Sequence, residues 1–133
     1  MRNRRDFMKT SLVITAGVFS ANIPSAFASK TSFAKGVVYT KDCPGKWVNK
    51  VNSHLPIVTV DDNKITIETK HGMSEKHYIV RHTIVSGNGE VLGEKTFYPS
   101  DEKALSVFNI TGDHSSLYAT SFCNKHDFWV AEI

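Results

Sequence analysis

The sequence predicts an all-β fold, because its apolar residues fall in short runs that are separated by turn signals. The runs are about five to eight residues long and rich in Val, Ile, Thr, Tyr and Phe, as strands are. Gly, Pro, Asn and Asp interrupt them at intervals of roughly 8–12 residues, and no helix is predicted. Such spacing is typical of an immunoglobulin-like β-sandwich of about seven strands.

The predicted strands follow one another with little irregular chain between them. The run 65–69 alternates apolar and polar residues, as a half-buried strand does. A tight turn at 61–64 joins it to the preceding run as a hairpin, and 87–89 turns the chain again. The stretch 46–53 is predicted to be irregular. In chain order the predicted strands are 36–40, 55–60, 65–69, 78–85, 91–98, 104–110, 117–122 and 128–133.

The first 28 residues are predicted to be an export signal that is not part of the fold. A charged start, a short apolar run at 11–19 and a small-residue end at Ala28 describe a secretory signal. An ordinary Sec signal is one interpretation. The start also carries residues that resemble a twin-arginine signal, namely Arg4, Arg5, Phe7 and Lys9. We therefore expect a twin-arginine signal over 1–28 and one domain over 29–133.

The charge of the remaining domain gives no support to a nucleic-acid role. Without the signal, 12 basic and 12 acidic residues remain, and no basic arm or run is left. The apolar run of the signal is too short for a permanent membrane span, so no stable span is expected after cleavage. Twin-arginine export carries folded proteins, which often hold a cofactor. It predicts a periplasmic location, where disulfides can persist.

Three sequence elements carry side chains that bind metals. Cys123 and His126 are three residues apart, so one loop can bring a thiolate and an imidazole to the same ion. Two histidines six residues apart flank a glycine-containing loop, just before a predicted strand. Another histidine, at the start of a predicted strand, precedes Pro56, which stiffens the chain beside it. The candidate metal ligands are His54, His71, His77, Cys123 and His126.

Together these elements are similar to the motifs of the superoxide reductase family, also called neelaredoxin and the catalytic half of desulfoferrodoxin. The matching motifs are His54-x-Pro, His71-x5-His77-x-Ile and Cys123-Asn-x-His126-x-x-Trp129. The resemblance covers nearly the whole domain, and the Cys-Asn-x-His ending is its most specific part. Cys43 and Cys123 are the only cysteines of the sequence. The tetracysteine module of desulfoferrodoxin is therefore absent, which implies the one-iron form.

The resemblance implies one iron ion per chain that cycles between its ferrous and ferric states. The four imidazoles would lie in one plane, the Cys123 thiolate would be axial, and the position opposite the sulfur would be open for superoxide. The thiolate donates electron density along this axis, as axial thiolates do in haem enzymes. The implied reaction reduces superoxide by one electron to hydrogen peroxide, with an unidentified periplasmic protein as the electron donor. The family also implies a homodimer or homotetramer.

The sequence departs from the family pattern at two places. The family has Glu-Lys immediately before the first histidine ligand, where this chain has Asn52 and Ser53. In the family the Glu caps the oxidised iron and the Lys attracts superoxide, so this departure concerns the rate and the resting state. Asp127 stands where the family usually has Gly, and it could alter the loop or hydrogen-bond a neighbour of the site. Positive charge could come instead from Lys46, Lys50, Lys76 or Lys125.

Several of these residues also have simpler interpretations. Cys43 and Cys123 could form a disulfide in an exported protein, which would remove the thiolate from the site; otherwise Cys43 is a free or buried thiol. His82 and His114 lie outside the family's ligand positions. We expect His82 in a strand, as a surface or core residue, and His114 at the surface. The expected core aromatics are Tyr78, Phe128 and Trp129, of which the last could also shield the sulfur.

Three other functions remain open from the sequence. A non-catalytic iron protein, for electron transfer or for binding a small ligand such as nitric oxide, is favoured by the missing Glu-Lys pair. A metal-free, disulfide-bonded sandwich that binds a partner is the second. In the third, zinc or copper occupies the site, because these metals often out-compete iron.

Overall fold

A computed structural model describes residues 32–133, so the predicted signal at 1–28 lies outside the described residues. In the described part, eight strands form two sheets, which confirms the predicted all-β sandwich. The strands are β1 (Val38–Tyr39), β2 (Ile57–Asp61), β3 (Lys64–Thr69), β4 (Ile79–Ser86), β5 (Val91–Thr96), β6 (Ala104–Asn109), β7 (Leu117–Cys123) and β8 (Asp127–Glu132). The described helices are too short or too polar to cross a membrane.

The larger sheet has five strands in the order β1-β8-β7-β4-β5, and the smaller has three in the order β2-β3-β6. All neighbouring strands are antiparallel except β1 and β8, which pair in parallel. The two predicted hairpins, β2–β3 and β4–β5, are both present. The bounds of the strands differ from the predicted ones by one or two residues.

The main apolar core lies where the two sheets face each other. Ile65 and Ile67 of β3 are fully buried and alternate with partly exposed residues, as the sequence pattern predicted. They pack against Ile84 of β4 and Ala119 of β7 in the other sheet. Each such isoleucine contributes about 1.5–3 kcal/mol of stability through removal from water. This contact fixes the face of β4 and β7 that is turned inward.

The stretch 46–53 is helical, so the prediction of an irregular segment without a helix was wrong here. A kinked 3₁₀ helix at Gly45–Lys50 continues into a single α-helical turn, α1, at Val51–His54. The turn ends at His54 because Pro56 disfavours helical backbone in the residue before it, and Leu55 is extended with ψ of 128°. His54 therefore lies at the end of a helix, not in a strand. So short a segment cannot show a repeated apolar helical pattern, and the sequence therefore did not predict a helix here.

The strand register brings five chain segments to one end of the sandwich. β3 ends at Thr69 where β2 begins, since Ile57 pairs with Glu68. At the same end β4 begins, β7 terminates and β8 begins, because Cys123 pairs with both Ile79 and Asp127. The loop 70–78 connects β3 to β4 across this end. All candidate ligands are in these segments or at the end of α1.

Candidate metal centre

The structure brings all five predicted ligands together at this end of the sandwich. One nitrogen of each histidine and the sulfur of the cysteine lie within 4.8 Å of one another. His54 and Cys123 are buried, and the other three are half-buried. The group consists of His54, His71, His77, Cys123 and His126.

The turn between β7 and β8 supplies two members of the group. Cys123 closes β7, and His126 directly precedes β8, with Cys123 Sγ 3.6 Å from His126 Nδ1. The backbone N–H groups of Lys125 and His126 are directed at the sulfur and favour its ionised form. Trp129 Nε1 donates to the His126 carbonyl at 2.9 Å and fixes the far side of the turn.

The loop between β3 and β4 supplies the next two members. His71 Nδ1 donates to the Gly72 carbonyl, which turns the Nε2 of this ring towards the group. Ser74 and His77 close a tight turn through reciprocal backbone hydrogen bonds of 3.0 and 3.2 Å. The Ser74 hydroxyl also donates to the His77 carbonyl at 3.0 Å. The turn holds the second histidine opposite the first.

Asn124 connects this loop to the β7–β8 turn. Its Oδ1 accepts the backbone N–H of Tyr78 at 3.0 Å, and its Nδ2 donates to the Lys76 carbonyl at 3.1 Å. In the sequence, Asn124 is only one position of the Cys-Asn-x-His motif. Its place between the two ligand segments gives a physical reason for an amide there, since an amide both donates and accepts.

His54 enters the group from α1. Its Nδ1 lies 3.2 Å from the Lys50 carbonyl and 2.7 Å from the Ser53 hydroxyl, whose own proton goes to the same carbonyl. The neutral ring therefore carries its proton on Nδ1 and presents the lone pair of Nε2 to the group. Metal-binding histidines are commonly oriented in this way by a backbone carbonyl.

The spacing of the four nitrogens fits a single metal ion. His54 Nε2 is 3.1 Å from His126 Nδ1, which is 2.9 Å from His77 Nε2, which is 3.0 Å from His71 Nε2. Nitrogens bound at right angles to one ion lie about 3.0 Å apart when each bond is about 2.1 Å, whereas a tetrahedral ion separates them by about 3.4 Å. The spacing fits nitrogens at right angles around one ion better than a tetrahedral set.

Burial keeps the imidazoles neutral. It lowers the pKa of His54 to about 4, with the neighbouring rings of His71 and His126 as further causes. Burial is also the main cause of the lowered pKa of His71, His77 and His126. Neutral nitrogen lone pairs that face one another have no donor between them, and a bound cation satisfies all of them at once.

The thiol of Cys123 lies on the dry side of the group. The residue is 1% exposed and packs against Ile79, Phe97 and Ala104. Burial raises the pKa of the Cys123 thiol. A bound cation reverses this balance, because coordinating thiols are deprotonated.

A cavity of about 350 Å³ lies on the other, wetter side of the group. Its lining residues include two lysines, and no acidic side chain of the described residues is among them. Cys123 does not line it, whereas three of the four histidines do. The lining residues are Lys50, Ser53, His54, Lys70, His71, Gly72, Met73, Ser74 and His77.

The residues at the two departures have distinct positions. Asn52 is exposed and does not line the cavity, whereas Ser53 contacts the ring of His54. Asp127 accepts a hydrogen bond from Trp47 Nε1 at 2.9 Å. Of the four lysines considered, Lys50 acts electrostatically on three of the imidazoles and Lys125 on two. Lys46 pairs with Asp127 instead, at 3.7 Å.

The remaining predictions had mixed outcomes. Both cysteines are free thiols, which does not support the disulfide. His82 is a fully buried strand residue and His114 is exposed, as expected. Trp129 is fully buried, but Tyr78 and Phe128 are only half-buried, so the prediction of core aromatics was wrong for these two.

The fold and the donor set define a β-sandwich protein with one histidine-rich, single-thiol metal-binding group. The desulfoferrodoxin family model matches residues 46–132, which include all five members of the group. The chain belongs to the desulfoferrodoxin family. No curated protein sequence matches it significantly.

Solved structures of superoxide reductases resemble the chain in fold. A one-iron enzyme from Giardia intestinalis is 22% identical, with a TM-score of 0.57, over 62% of this chain and 97% of its own. A neelaredoxin from Ignicoccus hospitalis is 24% identical, with a TM-score of 0.59, over 73% and 92%. The superoxide reductase from Treponema pallidum is 25% identical, with a TM-score of 0.52, over 61% and 67%.

Proposed function

We propose that the chain is a superoxide reductase that converts superoxide to hydrogen peroxide at one iron ion. The convergence of four imidazole nitrogens and one thiol sulfur on a single point, next to a lysine-lined cavity, carries the proposal. When bound, the iron supplies the electron that superoxide accepts as it passes from the ferrous to the ferric state. Two protons complete the reaction, and no oxygen is released.

The residues that would hold the iron are His54, His71, His77, Cys123 and His126. Neutral imidazoles suit a ferrous ion, and the thiolate pushes electron density towards it, as axial thiolates do in haem enzymes. The apolar packing around Cys123 excludes water from the sulfur. Water has access from the opposite side, through the cavity, and can deliver the protons there.

Lys50 and Lys70 give the cavity a positive charge that attracts an anion. Lys50 is half-buried and Lys70 is exposed, and both line the cavity together with three of the histidines. Positive charge in a concave site raises the local concentration of a small anion and its rate of arrival. In this chain, therefore, the two lysines stand in for the lysine that the family places directly before the first ligand.

A non-catalytic iron protein is the second candidate, and the position of Asn52 favours it. The residue that replaces the family's glutamate is exposed and does not line the cavity, and none of the described lining residues carries a carboxylate. Stopped-flow mixing with superoxide separates the two candidates. Oxidation of the ferrous protein no faster than that of free ferrous ion would favour the second.

Export and assembly belong to the same proposal. The signal-like residues at 1–28 support twin-arginine export of a folded, iron-loaded domain to the periplasm, where a separate redox protein would re-reduce the iron. A homodimer or homotetramer is the proposed assembly. Fractionation of cells that express the full chain, and replacement of Arg4 and Arg5 by lysine, test the route.

The direct test of the metal site replaces Cys123 by Ser. The oxidised wild-type protein should show a visible thiolate-to-iron band, about one iron per chain, and about one peroxide formed per superoxide. The Cys123→Ser variant should lose the band, while Cys43→Ser keeps it. An unchanged band in Cys123→Ser would overturn the assignment.

A further inference from the structure

Asp127 occupies a backbone conformation that explains why glycine is usual at its position. Its φ is 67°, in the left-handed region that side chains rarely adopt, although Asp and Asn tolerate it better than most. The chain therefore keeps a carboxylate at a place where glycine would be less strained. A contact of that carboxylate must offset the strain.

The carboxylate of Asp127 holds Trp47, which is 80 residues away in the chain. Trp47 Nε1 donates to Asp127 Oδ2 at 2.9 Å. Lys46 Nζ lies 3.7 Å from the same oxygen and 4.9 Å from the centroid of the Trp47 ring. A glycine at this position could make neither the hydrogen bond to Trp47 nor the ion pair with Lys46.

Trp47 in turn lies against the metal-binding group. Its ring meets the ring of His126 edge-on, with centroids 4.6 Å apart and planes at 87°. Trp47 also sits at the kink of the 3₁₀ helix, with φ of −101° and ψ of 26°. The hydrogen bond to Asp127 thus fixes the helix at its irregular point.

The 3₁₀ helix needs such an anchor because it has little packing of its own. None of its six residues is buried. The helix ends at Lys50, whose side chain lines the cavity and whose carbonyl orients His54. A shift of this helix would therefore move both the cavity's charge and one ring of the group.

We propose that Asp127 is a positioning residue that, through Trp47, holds Lys50 at the cavity and His126 in its orientation. The proposal rests on the proposed superoxide reduction, since it names the residue that places the anion-attracting lysine. Asp127 is not a member of the metal-binding group and does not line the cavity. Its role is to fix a segment that would otherwise be loosely attached.

The test compares Asp127→Gly, Asp127→Asn and Trp47→Phe in the iron-loaded full chain. Asp127→Gly and Trp47→Phe should raise hydrogen exchange of residues 45–50 about tenfold. They should also slow the reaction of the ferrous protein with superoxide severalfold and weaken its salt dependence. Asp127→Asn keeps an acceptor for Trp47 and should restore both quantities. Lys46→Met, which removes the exposed ion pair and the contact of the ammonium group with the Trp47 ring, should change little.

If Asp127 had a merely structural role, the melting temperature and the rate of Asp127→Gly should fall together, whereas the proposal separates them. Asp127→Gly relieves the positive φ, so its melting temperature should not fall even though its rate does. In a Lys50→Met background, Asp127→Gly should slow the reaction by a smaller factor than in the wild type, because the lysine that it positions is already gone. Full additivity, or unchanged exchange of 45–50 in Asp127→Gly, would overturn the proposal. A wild-type protein that fails to react with superoxide would instead refute the proposed function, and the exchange measurement would still decide whether Asp127 anchors the helix.

Discussion

The buried His82 and the four histidines of the metal-binding group satisfy their ring nitrogens in opposite ways. His82, in the core, has a hydroxyl at each nitrogen: Nε2 is 2.8 Å from Thr69 Oγ1, and Nδ1 is 2.7 Å from Ser106 Oγ. In the metal-binding group, one nitrogen each of four histidines faces only other ring nitrogens or a sulfur, among the described contacts. His82 needs no ligand to satisfy its ring nitrogens, whereas the four histidines of the metal-binding group do.

The difference shows why burial alone does not identify a functional histidine. His82 and His54 are both buried, and the pKa of each is lowered to about 4, chiefly by burial. The distinguishing feature is the partner of the second nitrogen. His82 connects the two sheets through hydroxyl groups, and His54 directs the lone pair of Nε2 at the metal-binding group.

Of the changes considered, removal of the metal should have the largest effect, and it should lower the stability of the fold. Iron that binds only the folded chain stabilises it by about 4 kcal/mol when free iron is 1,000-fold above its dissociation constant. We expect chelation under anaerobic conditions to lower the melting temperature by about 15–30 °C, the shift that such an energy gives a 100-residue domain. His77→Ala should abolish the iron-dependent shift, and a shift as large as in the wild type would contradict the ligand role of His77.

Truncation of His82 should have the next largest effect, on stability and not on metal content. His82→Ala leaves a cavity and removes the partner of two buried hydroxyl groups, so we expect a loss of about 3 kcal/mol. Urea unfolding of the metal-free protein measures it. His114→Ala, at an exposed position, is the matched control and should change stability by less than about 0.5 kcal/mol. Loss of iron binding at full stability in His82→Ala would break the contrast.

The pH dependence of the metal-free protein sharpens the same point. The folded-state pKa of His82, about 4, lies below the unfolded value of 6.5. The unfolded chain therefore binds the proton first, and the contribution of His82 to stability is lost as pH falls from 6.5 towards 4. The loss should reach about 2 kcal/mol between pH 6.5 and pH 5. A His82→Leu variant should show a shallower slope in urea unfolding, and an equal slope would argue against a neutral, buried His82.

Replacement of Lys50 should have the smallest effect, and only on the rate of reaction at the metal-binding group. Lys50→Met should slow the reaction with superoxide about three- to fivefold at low salt, and the difference should shrink as salt rises. Lys103→Met, at an exposed position outside the cavity lining, is the control and should leave the rate unchanged. Equal losses in both variants would show that net charge, and not the cavity, attracts the anion.

The sequence predicted the strands, and it singled out the five side chains that the structure brings together, because both leave regular marks. Alternation in 65–69 and the Gly-Asn-Gly turn at 87–89 are local signals, and the ligand motifs match in order and residue type. The 3₁₀ helix and α1 left no such mark, because six and four residues are too few to show a repeated apolar pattern. The contact between Trp47 and Asp127 spans 80 residues, so only the folded register brings these two together.

The turn between β7 and β8 has a consequence for the order in which the site assembles. Cys123 and His126 are three residues apart and His71 and His77 are six apart, whereas His54 joins His126 across 72 residues. Closure of the longest loop costs about 2 kcal/mol more in chain entropy than closure of the six-residue one. We therefore expect the two local pairs to come together first as the chain folds, and the arrival of His54 with its helix to complete the group last.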